Sequence, residues 1–321
     1  MLNEFSLIDF IKKEFNNGGS FIGDDCAIYG NFLISLDQMV EGTHFIFSKF
    51  PPDYLGKKVV SSTLSDIAAM GGIPLLLFLG VVIRKDLPFK WFRKFFVGVK
   101  EECVRYGISL AGGDLSRGEN ISITSAVIGK KRGEKVLLRS GAKVGDYIFV
   151  THSGGFASLG MKKLYEAGFV KSSFLDRDVR KFIQPTALID VGAFLLESGV
   201  VRSCIDVSDG ILRDLKNLCR ESNLSAILFL DDIDNSLKSK DISGEIFLKS
   251  GEEYELLFSV EREQLKFFQE KFSERFKDVQ LFLIGEMVER RDFYLYSLEK
   301  GEVKPFFEDG FDHFGGGING K

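Results

Sequence analysis

Apolar side chains recur at three- and four-residue spacing through Phe5, Ile8, Ile11 and Phe15, which predicts a helix over residues 5–15 packed by one face. A Gly-rich turn follows at residues 18–23. Residues 32–36 then read as a strand ending at Asp37. Residues 54–70 read as a long helix that stops at Gly71-Gly72, with Pro74 just beyond. The run 75–83 is nearly all apolar, as a strand covered on both faces would be. A helix over 89–106, a short strand over 108–110 leading into a Gly112-Gly113-Asp114 loop, and an alternating strand over 121–128 complete this half.

Residues 130–146 are rich in Lys, Arg and Gly, and a domain boundary is expected there, giving domains 1–138 and 139–321. Beyond it the alternation resumes with a strand at 147–151, helices near 156–167 and 186–198, a strand at 203–207 and a helix at 211–221. A strand at 226–230, a helix at 263–276, a strand at 281–284 and a Gly-rich tail follow. Strands and helices interleave in both halves, so the expected class is α/β or α+β. Two domains suit a chain of 321 residues. No fixed-period repeat is apparent.

Composition excludes several functions. The longest apolar stretch, 73–83, is too short to cross a bilayer and is interrupted by Pro74 and Gly80, so no membrane partner is expected. The amino terminus mixes charged and apolar residues at helical spacing rather than in the blocks of a secretion signal, which points to the cytoplasm. Cys26, Cys103, Cys204 and Cys219 are too dispersed for a zinc or redox motif. A net charge of −4 with scattered Lys and Arg argues against nucleic acid.

Aspartate carries the chemistry. Asp24, Asp25, Asp37, Asp66, Asp114, Asp206 and Asp209 each sit in a short Gly- or Ser-flanked segment, most of them after an apolar run. Mg²⁺ takes one or two protein carboxylates plus substrate phosphate oxygens, so dispersed aspartates suit several such ions. Two carboxylates about 4 Å apart repel by roughly 4 kcal/mol at a surface-like dielectric, so a converging set must be neutralised by cations or protons.

The individual motifs leave alternatives open. In Gly23-Asp24-Asp25, adjacent side chains on extended backbone point apart, so one of the two carboxylates is expected to face a ligand; a surface turn is the plainer reading. Asp37 at a strand end is either a ligand or a cap. Asp66 lies inside a helix among small residues, where aspartate is unfavourable by propensity and a functional role is favoured. Gly112-Gly113-Asp114 allows backbone N–H groups close to a phosphate. Arg139 offers a bidentate guanidinium or is a surface residue. Asp206-Val207-Ser208-Asp209-Gly210 precedes a helix, where capping and phosphate binding are compatible. His44 is either structural or a substrate contact, and Glu252-Glu253-Tyr254-Glu255 reads by default as a solvated face. No Walker loop, dinucleotide fingerprint or protein-kinase signature is present.

In order and wording, IGDDCA, VEGTHF, LSDIAAMGG, GGDLSRG, LRSGAKVGD, IDVSDG and GEEYEL resemble the thiamine-monophosphate kinases of the aminoimidazole ribonucleotide synthetase superfamily. The likeness runs from the first helix to residues 310–314. It implies a two-domain fold with an amino-terminal mixed sheet and a carboxyl-terminal α/β domain. It also implies a homodimer formed through the amino-terminal sheets, and ATP-dependent phosphorylation of thiamine monophosphate without a covalent intermediate.

The metal positions implied by that resemblance fall on Asp25, Ser35, Leu36, Asp37, Asp66, Asp114, Asp206 and Asp209. The nucleotide positions fall on Gly113, Asp114, Arg139 and Ser208, and the substrate positions on His44, Glu252 and Phe311. No catalytic base is implied. Leu36 and Leu115 stand where threonine is common, Glu253 where aspartate is common and His152 where glycine is usual. At Leu36 only the backbone carbonyl could serve a metal. The hydrogenase-maturation relatives end in a reactive cysteine and the selenophosphate synthetases carry an early one in a Gly-rich loop; this chain has neither.

Overall fold

The computed structural model describes residues 4–15, 22–152, 154–238 and 242–307. Most of the Gly-rich turn and the whole Gly-rich tail expected from the sequence lie outside the described residues. The first half comprises α1 (Glu4–Phe15), β1 (Ala27–Tyr29), β2 (Phe32–Val40), α2 (Pro52–Ala69), β3 (Ile73–Arg84), α3 (Phe89–Tyr106), β4 (Ser109–Gly118) and β5 (Ser122–Lys130). Its sheet has the order β1-β2-β5-β3-β4, antiparallel except where β3 meets β4. In the second half follow β6 (Tyr147–Thr151), α4 (Phe156–Ala167), α5 (Arg177–Ile183), α6 (Ile189–Ser198), β7 (Val201–Asp206), α7 (Ile211–Ser222) and β8 (Ser225–Phe229). It ends with α8 (Leu230–Leu237), α9 (Gly244–Lys249), β9 (Leu256–Val260), α10 (Leu265–Arg275), β10 (Leu281–Val288), β11 (Leu295–Glu299) and β12 (Glu302–Pro305). These strands form a seven-stranded mixed sheet of order β12-β11-β8-β10-β6-β9-β7.

Three expectations are corrected. The strand read over 32–36 continues to Val40, so Asp37 lies inside β2 and not at its end, because pairing with β5 carries on through Val40. The strand read over 75–83 is covered on one face only: Leu77, Leu79 and Val81 are buried, while Leu76 on the other face is 37% exposed. Its apolar run is continuous because the open face is itself apolar. Ile34, Ile128 and Leu76 align across β2, β5 and β3, and Leu36, Ala126 and Phe78 form the next row. Gly112-Gly113-Asp114 is part of β4 rather than a loop. Gly113 pairs with Leu79, and a Cβ on it would fall 1.9 Å from the Leu79 carbonyl oxygen. The glycine permits close strand pairing there.

The covered face of the first sheet receives α2 and α3. Gly56 and Gly98 let these helices touch at backbone distance; a Cβ on Gly98 would sit 1.8 Å from the Asp53 carbonyl. α2 is buried along nearly its whole length and reaches into the second half. Its Ala68 and Ala69 share a core with Val191 and Leu195 of α6 and with Phe258 of β9. In the other direction, Ala157 and Leu164 of α4 and Phe182 and Ile183 of α5 complete the core of the first half. The seven-stranded sheet is covered by α7, α8 and α9 on one face and by α6 and α10 on the other.

The halves come to backbone distance at Gly192, where a Cβ would fall 1.9 Å from the Ala68 carbonyl oxygen. Overpacking of a filled core costs about 1–3 kcal/mol. Gly192→Ala should therefore lower the unfolding midpoint measured by calorimetry. An unchanged midpoint would mean that α2 and α6 are not held in register there.

Candidate functional site

Alternation along β2 puts Leu33, Ser35, Asp37 and Met39 on the helix-covered face, which is why a strand otherwise apolar on that side carries two polar residues next to α2. On α2, Lys58, Ser62 and Asp66 recur every four residues and form one stripe facing the second half. From the second half, β7 ends at Asp206 and the turn before α7 supplies Ser208 and Asp209. These elements meet at a carboxylate cluster: oxygens of Asp25, Asp66 and Asp206 all lie within 4.8 Å of one another.

Each carboxylate has a different support. Ser35 donates its hydroxyl to Asp66 Oδ2. Asp25 is buried and its Oδ1 accepts from Arg139 Nη2 at 2.7 Å and Nε at 3.2 Å. Its Oδ2 is buried with no partner among the described residues. Asp24 points elsewhere and accepts from the Arg139 backbone N–H at 2.7 Å. Arg139 is thus not a surface residue: its guanidinium belongs to the cluster. Burial works against its charge, but Asp25 beside it raises its pKa above the ordinary value.

Burial raises the Asp25 carboxyl, and burial followed by the nearby Asp206 and Asp25 charges raises Asp66 well above the usual carboxylate range. Asp206 is pushed up to about 7, first by burial and then by Asp25. Such a cluster favours protons or cations. Hard oxygen ligands within 4.8 Å of one another, with one orphaned buried oxygen on Asp25, fit a divalent cation such as Mg²⁺. β1 pairs with β2 only as far as Ile34, so from Ser35 onward the edge of β2 borders the cluster, and Leu36 offers backbone there while its side chain lies 67% exposed.

Two cavities that share part of their lining lie at the cluster and beside it. The smaller, of about 320 Å³, is lined by Asp25, Ser35, Asp37, Asp66 and Asp206. The larger, of about 530 Å³, is lined by His44, Phe182, Asp209, Arg213 and Glu252, among others. Asp37, Arg139, Ser208 and Tyr254 border both. His44 Nδ1 accepts from the Val40 N–H at 3.1 Å, which places the ring proton on Nε2. Asp209 pairs with Arg213 at 3.3 Å, and its N–H donates to Asp214 Oδ2 at 3.2 Å. Neither Ser208 nor Asp209 caps α7; Gly210 holds that position.

The segment read as a solvated face, 252–255, is instead built into the site. Glu252 and Tyr254 both adopt left-handed backbone, at φ 60° and 51°, and such positions cost on the order of 1–3 kcal/mol each. They are held by the Glu252 and Tyr254 N–H groups, which donate to the Ser208 and Val207 carbonyls at 2.7 and 2.8 Å. Glu252 also accepts from Lys58, a fully buried lysine that donates to the Phe182 carbonyl at 2.8 Å and lies 3.7 Å over the Phe182 ring. Glu253 Oε1 accepts from the Gly155 and Ala157 N–H groups at the start of α4, at 2.7 and 2.9 Å. Lys58 and Tyr254 were not among the candidates from sequence. Lys58 could have been found from its position two helical turns before Asp66.

Gly113 and Asp114 are not brought to the cluster within one chain. They lie on the exposed edge strand β4 and line neither cavity. Phe311 lies outside the described residues. His152, at φ 49°, occupies a left-handed position, which explains why glycine suits it. All four cysteines are buried free thiols, and no helix among the described residues is long and apolar enough to cross a membrane.

The fold and the site define a two-sheet protein with a carboxylate-lined cleft between its halves. Residues 23–130 match the AIR synthase related protein amino-terminal domain, and residues 143–297 the corresponding carboxyl-terminal domain. A thiamine-monophosphate kinase of Buchnera aphidicola is 32% identical over 91% of this chain and 92% of its own length. One from Aquifex aeolicus is 30% identical over 82% of this chain and 87% of its own. A solved structure described as AaThiL complexed with AMPPCP and TMP superposes with a TM-score of 0.81 at 28% identity, covering 98% of this chain and 97% of that one. The chain belongs to the thiamine-monophosphate kinase family of AIR synthase related proteins, a family of phosphotransferases.

The raised Asp206 carboxyl has a thermodynamic consequence. The folded protein holds this proton more tightly than the unfolded chain, so without metal its stability falls as pH rises from near 3.8 through about 7. A cation that takes the proton's place relieves this loss. Mg²⁺ should therefore raise the melting temperature more at pH 8 than at pH 5.5; an equal rise at both would remove Asp206 from the cation site.

Proposed function

We propose that the protein transfers the γ-phosphoryl group of ATP directly onto the phosphate of thiamine monophosphate, giving thiamine diphosphate and ADP, the last step of thiamine diphosphate biosynthesis, in the cytoplasm. The observation that carries this reading is the Asp25, Asp66 and Asp206 cluster in a cavity that shares Asp37, Arg139, Ser208 and Tyr254 with a larger one beside it. Membership of the family and the likeness to a protein solved with AMPPCP, an ATP analogue, and TMP support it.

The bond from the γ-phosphorus to the ADP oxygen breaks with its electron pair leaving on ADP, and an oxygen of the acceptor phosphate forms the new bond in line. The acceptor's second ionisation lies near pH 6, as for other phosphate monoesters, so at neutral pH it attacks without a strong base. Several Mg²⁺ ions held by Asp25, Asp66, Asp206 and Asp209, with Ser35, the Leu36 carbonyl and Asp37 at the β2 edge, would supply positive charge to both sets of phosphate oxygens. Arg139, Ser208, Gly113 and Asp114 are assigned to the nucleotide. His44, with its proton on Nε2, and Glu252 are assigned to the thiamine phosphate, together with Phe311.

The same reading includes a homodimer. The open face of the first sheet carries Phe32, Ile34, Leu36 and Leu76, with exposures of 37–67%. Contiguous apolar rows of this kind mark an interaction surface. Pairing two such sheets is also the arrangement in which Gly113 and Asp114 of one copy could serve the cleft of the other.

Three outcomes are expected. In a coupled ADP-release assay with Mg²⁺ and ATP, product mass should identify thiamine diphosphate from thiamine monophosphate, with nothing formed from free thiamine or aminoimidazole precursors; no turnover with ATP still bound would overturn the reading. Asp66→Asn and Asp209→Asn should each lower kcat by about a hundredfold or more, the usual order for removing an electrostatic stabiliser. Leu76→Glu should yield a monomer in sedimentation, and an unchanged mass would place the dimer contact elsewhere.

A further inference from the structure

Tyr254 lies at the junction of the two cavities, 6% exposed, with its backbone in a conformation that aromatic residues rarely adopt. The conformation is imposed from both sides. Its N–H donates to Val207, the Val207 N–H donates back to Glu255 at 2.8 Å, and Gly251 packs so closely on the Ser208 carbonyl that a Cβ there would lie 2.9 Å away. The turn that carries Ser208 and Asp209 and the turn that carries Glu252 and Tyr254 are therefore each other's template. Left-handed backbone at 254 aims the ring into the cleft before β9 begins at Leu256.

The phenol there is surrounded by acids. Burial first, and then the charges of Glu252, Asp37, Asp206 and Asp209, raise its pKa and keep it protonated. Yet these carboxylates act on it through charge alone, and none accepts its hydroxyl proton. A neutral donor at the junction of two cavities can bond an anionic oxygen without competing with cations for the carboxylates, as a lysine or arginine would. An anion that brings several oxygens to a carboxylate-lined, cation-binding cleft is a phosphate.

We propose that the Tyr254 hydroxyl is a catalytic hydrogen-bond donor to a phosphate oxygen where the two cavities meet. The inference rests on the phosphoryl-transfer reading above. The phosphate belongs either to the acceptor or to the γ-position of the nucleotide, and kinetics separate the two.

The test is Tyr254→Phe, which keeps the ring and its packing and removes only the hydroxyl, measured beside wild type and Tyr254→Ala. Tyr254→Phe should lose ten- to a hundredfold in kcat/KM, with an unchanged melting temperature and an unchanged Mg²⁺-induced shift. A loss confined to the KM for thiamine monophosphate assigns the acceptor phosphate. A loss in kcat, or in the KM for ATP, assigns the transferring group. Full activity in Tyr254→Phe with impairment only in Tyr254→Ala would make the residue an aromatic plug and overturn the proposal while leaving the phosphoryl-transfer reading intact. A wild-type protein that makes no thiamine diphosphate would overturn both.

Discussion

The burial of α2 is the constraint on which the rest depends. A helix this enclosed is expected to be apolar all round, yet it carries Lys58, Ser62 and Asp66 on one stripe and Ser61, Thr63 and Ser65 beside it. Burying such groups is costly unless they are bonded, and most of them find a partner in a neighbouring element; the Ser65 hydroxyl is an exception. Glu102 on α3 bonds Ser61, Ser125 on β5 bonds Thr63, and Ser35 on β2 bonds Asp66. Glu252 from the far half bonds Lys58. The polar stripe thereby fixes how the two sheets are oriented around the helix, and the cleft is the space left where that stripe meets β7.

A cost accompanies this arrangement. Three carboxylates in mutual reach, two left-handed non-glycine residues in one turn and a buried lysine whose pKa is lowered by desolvation all oppose folding. They are tolerated because the surrounding cores are extensive, with phenylalanines such as Phe149, Phe258 and Phe268 packed ring against ring beneath the second sheet. Stability is supplied by the interior and given up at the cleft, as is usual where a site must be preorganised.

Much of this was legible in the sequence. The long helix and the strand leading to Asp206 follow from periodicity, and the aspartates that converge are among those singled out by their Gly and Ser flanks; the strand expected to end at Asp37 instead runs on to Val40. What could not be read were relations between distant segments. Arg139 looks like a linker arginine until Asp25, more than a hundred residues earlier, is seen to occupy its guanidinium. The acids around Tyr254 look solvated because their partners, Lys58, Lys181 and the start of α4, come from three other elements. β4 hides its strand character behind two glycines, and in β9 the one hydroxyl, Ser259, meets another from Ser203.

The dependence of the first core on α4 and α5 has a consequence for synthesis. The first sheet and its two helices leave the ribosome before Leu164, Phe182 and Ile183 exist to cover them. At about 5–20 residues per second, several seconds pass before that apolar surface can close. During this interval the nascent chain presents both the unfinished core and the open face of the sheet, so the stretch of translation between β5 and α5 is when a holdase would have most to bind.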